Sequence, residues 1–371
     1  MNKFFQEISN YFGFGCMRLP MKNDEVDLDQ FKDMIDKFIG AGLNYFDTAH
    51  GYIEGKSELA LRTCLVDRYP RNKYLLADKL TYSFINQKED VVPFVNNQLK
   101  ILNVDYFDFY LMHALNKNNV EIYRKCDAYN QLLKLKKDGK LHHIGFSFHD
   151  TPEVLEMLLN EFKEVDFVQL QINYFDWEND RVNSRKCYEV CLKYNKPVIV
   201  MEPVKGGTLH FLPKKAQEYL KSFNNNLSNA SYALRFVRGL DNVMMVLSGM
   251  SNYDQMLDNL NTMTNFKPLD EGERKIIDNI VSIIKKQDLI ACTNCRYCVD
   301  GCPKKILIPD LFKVMNDKIE NKNLLYKKHY EELSLKSGLS YECIKCGKCE
   351  KTCPQKLPIR DLLVNITREF E

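Results

Sequence analysis

Eight cysteines near the end of this 371-residue chain fall on one ruler used twice. The first run is Cys292, Cys295, Cys298 and Cys302, followed by Pro303. The second is Cys343, Cys346, Cys349 and Cys353, followed by Pro354. Both read C-x2-C-x2-C-x3-C-P, the bacterial spacing for [4Fe–4S] ligation. Three closely spaced thiolates wrap one cube, and the proline after the fourth turns the chain away. The fourth cysteine of such a run ligates the other cube. The expected ligand sets are therefore crossed: Cys292, Cys295, Cys298 and Cys353 on one cluster, and Cys343, Cys346, Cys349 and Cys302 on the other. Zinc sites favour two C-x2-C pairs and give no reason for the prolines. Disulfides need an oxidising compartment, and MNKFFQEISN lacks the apolar core of a signal peptide. The remaining cysteines, Cys16, Cys64, Cys126, Cys187 and Cys191, are scattered and read as reduced residues without a cluster role. A reducing cytoplasm is the expected location.

The net charge of +2 gives no basis for nucleic-acid binding, and no apolar run reaches membrane-spanning length. Up to about Ile284, short apolar runs alternate with amphipathic stretches. The strand candidates are Phe12–Met17, Leu43–Phe46, Tyr74–Ala77, Phe107–Met112, His143–Phe146, Phe167–Gln171, Pro197–Met201 and Val243–Leu247. They recur about every thirty residues, the size of one βα unit. Helical spacing marks Leu28–Ile39, Val92–Leu102 and Tyr129–Lys137, with Phe31, Met34, Ile35 and Phe38 on one face. Eight such units predict a (β/α)8 TIM barrel over residues 1–286. An open doubly wound sheet would want a G-x-G-x-x-G turn, and Gly13-Phe14-Gly15 does not continue into one.

The tail repeats itself. CPKKILIPDLF (Cys302–Phe312) parallels CPQKLPIRDLL (Cys353–Leu363), so each Cys-Pro leads into a helix, with Pro309 suited to its first turn. The intervening Lys313–Lys336 is also helical in pattern. Residues 287–371 are thus expected to form a small, mainly helical two-cluster ferredoxin-like domain with pseudo-twofold symmetry.

Barrel chemistry sits at the C-terminal ends of strands. Asp47 and Tyr52 follow the second strand candidate, Lys79 the third and His113 the fourth. Singly, each has an ordinary structural explanation. Together they suit reduction of a carbonyl by hydride, which needs a proton donor at oxygen. A phenol is a weak acid, with a reference pKa of about 10. A neighbouring ammonium favours the phenolate, and a carboxylate holds that ammonium in place. A histidine beside the phenol can orient the carbonyl.

With these residues in view, the chain resembles the aldo-keto reductases. The matching segments are FGFGCMRLP, FDTAHGY with GKSE, DKL, DFYLMH, GKLHHIGFSFHD, VQLQINY, VMEPVKGG and VLSGMSNYDQMLDNL, in order over residues 12–260. The whole chain looks like the subgroup with a C-terminal ferredoxin-type extension. The resemblance implies a (β/α)8 barrel, a nicotinamide cofactor across its mouth, and a tetrad of Asp47, Tyr52, Lys79 and His113. It matches Ser147 and Gln169 to the nicotinamide carboxamide, and Glu202 and Pro203 to the stretch after the seventh strand. That stretch lacks the aromatic ring the family often stacks there. It matches Ser248, Gly249, Met250, Gln255 and Asn259 to the adenosine end. Phe148 replaces a frequent Asn. Gly249 and Gln255 replace the Lys and Arg of members that prefer NADP, which favours NAD slightly.

Three functions follow. The first is an NAD(P)H-dependent carbonyl reductase that exchanges electrons through its clusters, which calls for a flavin as converter although no flavin motif is present. The second is a carbonyl reductase with a structural ferredoxin module. The third is an electron-transfer adaptor with a non-catalytic barrel, against which the complete tetrad argues. Lys304, Lys305, Lys345, Lys348, Lys351 and Lys356 flank the cluster cysteines. They either offset cluster charge or form a docking face for an acidic flavodoxin or ferredoxin carrier.

Overall fold

Eight short parallel strands close on themselves. In the computed structural model, which describes residues 2–223, 227–320 and 325–370, they are β1 (Phe12–Gly15), β2 (Tyr45–Asp47), β3 (Leu75–Leu80), β4 (Phe107–Leu115), β5 (Leu141–Phe148), β6 (Phe167–Gln171), β7 (Val198–Met201) and β8 (Val243–Gly249). Each pairs with its neighbours in chain order, and β1 closes onto β8. Each strand lies where the sequence pattern puts it, with ends moved by up to three residues. The barrel architecture is therefore the one expected.

Strand parity decides what faces inward. Tyr45, Ala77, Phe109, Leu111, Phe167, Ile199, Met245 and Leu247 form an inner apolar cluster with Ile8. Phe4 and Phe5 pack against this cluster, and the Asn2 side chain donates to the Met244 carbonyl. The interior is filled, so the polar side chains two residues beyond Tyr45, Ala77, Leu111 and Phe167 come out at the C-terminal end. The helices behave as amphipathic covers. In Leu28–Gly40 the buried residues are Phe31, Met34, Ile35 and Phe38, and Asp27 caps its N-terminus through the Gln30 N–H.

Compactness divides the chain elsewhere than at residue 286. One unit comprises Met1–Asn179, Asn183–Pro203 and Ala230–Leu269. The other comprises Asp180–Val182, Val204–Asn229 and Asp270–Glu371. The helix Glu271–Lys285 falls in the second unit, where it packs on Lys214–Lys221. Met1, Glu371 and residues 321–324 of the helical segment expected over Lys313–Lys336 lie outside the described residues.

Within the second unit, both Cys-Pro steps lead into helices, Ile308–Ile319 with Pro309 in its first turn and Ile359–Phe370. A third helix spans Tyr326–Ser334. Ile308, Leu311, Phe312, Tyr330, Ile359, Leu363 and Ile366 share one core, with Cys292, Cys302, Cys343 and Cys353 packed against it. A single parallel bridge joins Ile306 to Gly338. A Cβ at Gly338 would lie 2.1 Å from the Lys304 carbonyl oxygen, so only glycine allows that approach.

Candidate active site

Asp47, Lys79 and Gln169 each stand two positions beyond an inner-cluster residue, on β2, β3 and β6. Parity therefore turns all three into the barrel. His113 likewise stands two positions beyond the inner-cluster residue Leu111, at a point where β4 is irregular. The pairing of β4 with β5 slips between Met112 and Leu115, and Ala114 has φ 55°. A bulge of this kind re-aims a side chain beside it.

The centre of the group is an ion pair. Lys79 Nζ donates to Asp47 Oδ1 at 2.7 Å and to the Thr48 carbonyl at 2.6 Å, with the two side chains 1% and 5% exposed. Gln169 Nε2 donates to Asp47 Oδ2 at 3.4 Å. Burial pushes the Asp47 carboxyl above its usual range, while the Lys79 ammonium and then the Gln169 amide pull it back. Lys79 Nζ lies over the Tyr52 ring, 4.8 Å from its centroid. The Tyr52 and His113 rings meet edge-on at 6.0 Å. Tyr52 sits at the start of a segment in which Ile53, Glu54 and Gly55 all take positive φ. Such backbone is costly for non-glycine residues and fixes the direction in which Tyr52 leaves the chain.

His113 is buried, and its Nδ1 shares a hydrogen bond of 2.8 Å with Thr81 Oγ1. Burial, then Lys79 and His149, hold its pKa well below the usual value, so the ring is neutral at pH 7. The Tyr123 hydroxyl donates to the carbonyls of both His113 and Leu80, at 2.7 and 2.9 Å, tying β3 to β4. Thr48, Thr81 and Tyr123 were not legible as site residues. For Thr81, the only signal is its step of two from Lys79.

The residues matched to the nucleotide are partly engaged with one another. Ser147 Oγ accepts the Ala114 N–H at 2.7 Å, and Asn259 Nδ2 donates to Ser248 Oγ at 2.9 Å. Gln255 Oε1 accepts the Ser251 N–H, while Asn252 caps the helix Tyr253–Thr264. Glu202 has φ 54°, and its carbonyl accepts from Asn173; Pro203 and Met250 are buried. Gly249 is exposed, and a Cβ there would lie 3.4 Å from the Arg18 side chain. The aliphatic stem of Arg18 thus packs against the loop at Gly249. Trp177, half-buried, packs between Tyr188 and Phe236.

In the second unit, Cys302, Cys343, Cys346 and Cys349 line one partly open cavity. The fourth cysteine of the first run therefore shares a cavity with the first three of the second. Buried Cys298 feels the thiols of Cys295, Cys292 and Cys353, and after them Cys349. Among the described residues, no three His, Cys, Asp or Glu side chains converge as a single ion requires. Thiols spread around a cavity fit a four-iron cube. None of the 13 cysteines is in a disulfide among the described residues.

Comparison with known proteins finds two families along the chain. The model of the aldo/keto reductase family matches residues 12–282, and that of the 4Fe-4S dicluster domain matches residues 291–357. The uncharacterized oxidoreductase YqkF of Bacillus subtilis is 23% identical over 298 residues, covering 72% of this chain and 91% of that protein. Aldo-keto reductase family 1 member C3 of Homo sapiens is 27% identical over 165 residues, 40% of this chain and 50% of that protein. The chain thus spans most of the bacterial relative and half of the human one. An aldo/keto reductase from Klebsiella pneumoniae, solved with NADP and acetate, superposes with a TM-score of 0.60 at 19% identity, covering 73% of this chain and 91% of that one.

Removing the cation tests the ion pair. In Lys79→Met the Asp47 carboxyl is left buried without its ammonium, and its folded pKa rises further above the unfolded value of about 3.9. A raised carboxyl pKa favours the protonated folded state. The stability of the variant is then fullest below the unfolded pKa and is lost as pH rises through the folded one. The variant should be about 3–5 kcal/mol less stable than wild type at pH 7, with the deficit shrinking at acid pH. Apparent unfolding midpoints across pH measure this, and a deficit that grows on acidification would exclude the pairing.

Proposed function

The chain belongs to the aldo/keto reductase family and carries a 4Fe-4S dicluster domain C-terminal to the barrel sequence, and we propose that it is an NAD(P)H-dependent carbonyl reductase that also exchanges single electrons. The nicotinamide supplies hydride, and the two [4Fe–4S] clusters supply one-electron exchange. Tyr52 is the proton donor to the carbonyl oxygen. Lys79, held by Asp47, favours the phenolate left behind. His113 stays neutral and orients the carbonyl; a Thr81 hydroxyl donating to Nδ1 leaves Nε2–H to do so. Ser147, Gln169, Glu202, Pro203, Ser248, Gly249, Met250, Gln255 and Asn259 border the nucleotide. The observation that carries this reading is the Lys79 ammonium, bound to Asp47 at 2.7 Å and lying over the Tyr52 ring.

Tyr52→Phe removes the acid and keeps the ring. Carbonyl reduction should fall at least about a hundredfold, with NADH or NADPH binding retained by fluorescence titration. Near-normal turnover would refute the assignment of Tyr52.

The ligand sets are crossed in this reading. The cavity shared by Cys302 with Cys343, Cys346 and Cys349 supports it. Cys353→Ser should disturb the cluster of Cys292, Cys295 and Cys298, seen by electron paramagnetic resonance of the reduced protein. Selective loss of the cluster of Cys343, Cys346 and Cys349 would mean that each run holds its own cube.

The partner is an acidic flavodoxin or ferredoxin, or another flavoprotein able to convert hydride to single electrons. Lys304 and Lys348 line the cavity of the second run, and both are exposed, as are Lys305 and Lys345. Reduction by an acidic carrier should slow steeply with added salt. A rate independent of salt would remove this docking face. The 13 thiols, none in a disulfide among the described residues, support a reducing cytoplasm.

A further inference from the structure

Behind Lys79 lies a second charged group that the carbonyl chemistry does not use. Strand parity sends Lys79 into the barrel and its neighbour Asp78 outward, toward the helices. Asp78 pairs in register with Tyr110 on β4. Glu58, on the helix Lys56–Leu61, and Gln98, on the helix Val91–Leu102, close over it. Asp78, Glu58 and Gln98 are 0%, 1% and 0% exposed.

Their hydrogen bonds leave one gap. Glu58 Oε2 meets His50 Nδ1 at 2.7 Å, and Glu58 Oε1 accepts from Gln98 Nε2 at 3.1 Å. Gln98 Nε2 also reaches the Lys79 carbonyl at 3.2 Å, and Gln98 Oε1 accepts from the Tyr110 hydroxyl. Asp78 Oδ1 accepts the Lys79 N–H at 2.8 Å. Asp78 Oδ2 has no donor among the described residues. The neighbouring carboxyl is Glu58, buried beside Asp78, with its two oxygens already engaged by His50 and Gln98. Two acceptors in contact lack a proton between them.

Charge counting says which group supplies it. The groups facing Asp78 are Glu58 from the helix, Lys79 from its own strand and the Tyr110 phenol from β4, with the neutral amide of Gln98 above. The Lys79 ammonium is already matched by Asp47. The His50 ring is the one cation beside Glu58, whose hydrogen bond favours its charged form. Burial and the two carboxyls push the Tyr110 phenol up, so it stays neutral. One cation thus stands against two buried carboxyls, and two like charges in contact cannot both ionise in a dry site.

We propose that Asp78 is a positioning residue that acts as a neutral acid, its carboxyl proton donated to the Glu58 carboxylate, with His50 balancing that anion. Burial first, and then the Glu58 charge, raise the affinity of Asp78 for its proton, in agreement. The consequence falls on Lys79, both of whose peptide groups are held by this network, the N–H by Asp78 and the C=O by Gln98. A neutral Asp78 fixes the height of Lys79 on β3 without adding a second anion to compete with Asp47 for the ammonium. This consequence rests on the role proposed for Lys79; the location of the proton does not.

Infrared difference spectroscopy of the cluster-loaded protein at pH 7 tests the proton directly and needs no substrate. Subtracting Asp78→Asn from wild type should leave a carbonyl band of a protonated carboxyl. Labelling aspartate with ¹³C at its side-chain carboxyl should move that band, and Glu58→Gln should move it to higher frequency by removing the anionic acceptor. A difference spectrum holding only carboxylate bands would overturn the proposal. So would a band unmoved in Glu58→Gln, which serves if Asp78→Asn does not fold. Turnover gives the second readout. Asp78→Asn keeps a donor toward Glu58 and an acceptor for Lys79, so carbonyl reduction should stay within about twofold of wild type. Asp78→Leu keeps neither, and kcat should fall roughly tenfold at unchanged coenzyme affinity. Equal loss in both variants would show that the negative charge of Asp78, and not its proton, is what matters.

Discussion

An ammonium almost fully removed from water must be matched nearby, and the upper barrel is organised around that requirement. Lys79 is 1% exposed. Desolvating a charge of this kind costs several kcal/mol and is offset only by close, well-aimed partners. Asp47 gives the opposite charge from the adjacent strand, and the Thr48 carbonyl takes a second proton. Those two acceptors fix Nζ in place. Once Nζ is fixed, the Tyr52 ring beneath it has a defined electrostatic neighbour. The left-handed run Ile53–Gly55 is then tolerable, because it delivers that ring to the ammonium.

The same requirement explains why the neighbouring histidine is neutral. A second cation beside Lys79 would need another buried anion to offset it. Burial and the Lys79 charge instead keep the imidazole unprotonated. A neutral ring can still donate one hydrogen bond, and the Thr81 contact at Nδ1 decides which nitrogen is left to do it. Tyr123 then locks the backbone of both strands, so the geometry does not depend on the rings alone.

Much of this was legible in the sequence, for identifiable reasons. Asp47 and Lys79 were legible because barrel chemistry sits at strand C-terminal ends, and Gln169 through the resemblance; the inner cluster of Tyr45, Ala77 and Phe167 gives the physical reason all three face inward. The cysteine runs carry their spacing on their face. The bulge at Ala114 has no sequence signature, because alanine rarely takes φ 55° and nothing nearby asks for it. Asp78 was invisible for another reason. Asp78 stands one residue before Lys79 with no motif of its own, and the register with Tyr110 and the packing of two helices reveal that it is buried. The compact units were hidden as well. The helix Glu271–Lys285 reads as the last barrel helix, and its packing on Lys214–Lys221 is a long-range contact.

Charge is balanced differently in the two units. In the barrel, each buried charge has a partner within hydrogen-bonding distance, Lys79 with Asp47 and His50 with Glu58. Around the second cysteine run, Lys304, Lys305, Lys345 and Lys348 are exposed, Lys356 is half-buried, and Arg360 is tied to Glu350 at 2.7 Å. Exposed lysines are screened by water and salt, so they contribute little to holding negative charge inside. What exposed cations do well is act at a distance, since a one-sign patch steers an oppositely charged partner before contact. Had these lysines served mainly to neutralise thiolate-bound iron, burial beside the sulfurs would have made them far more effective. The exposure of these four lysines is what the docking face proposed for an acidic carrier requires.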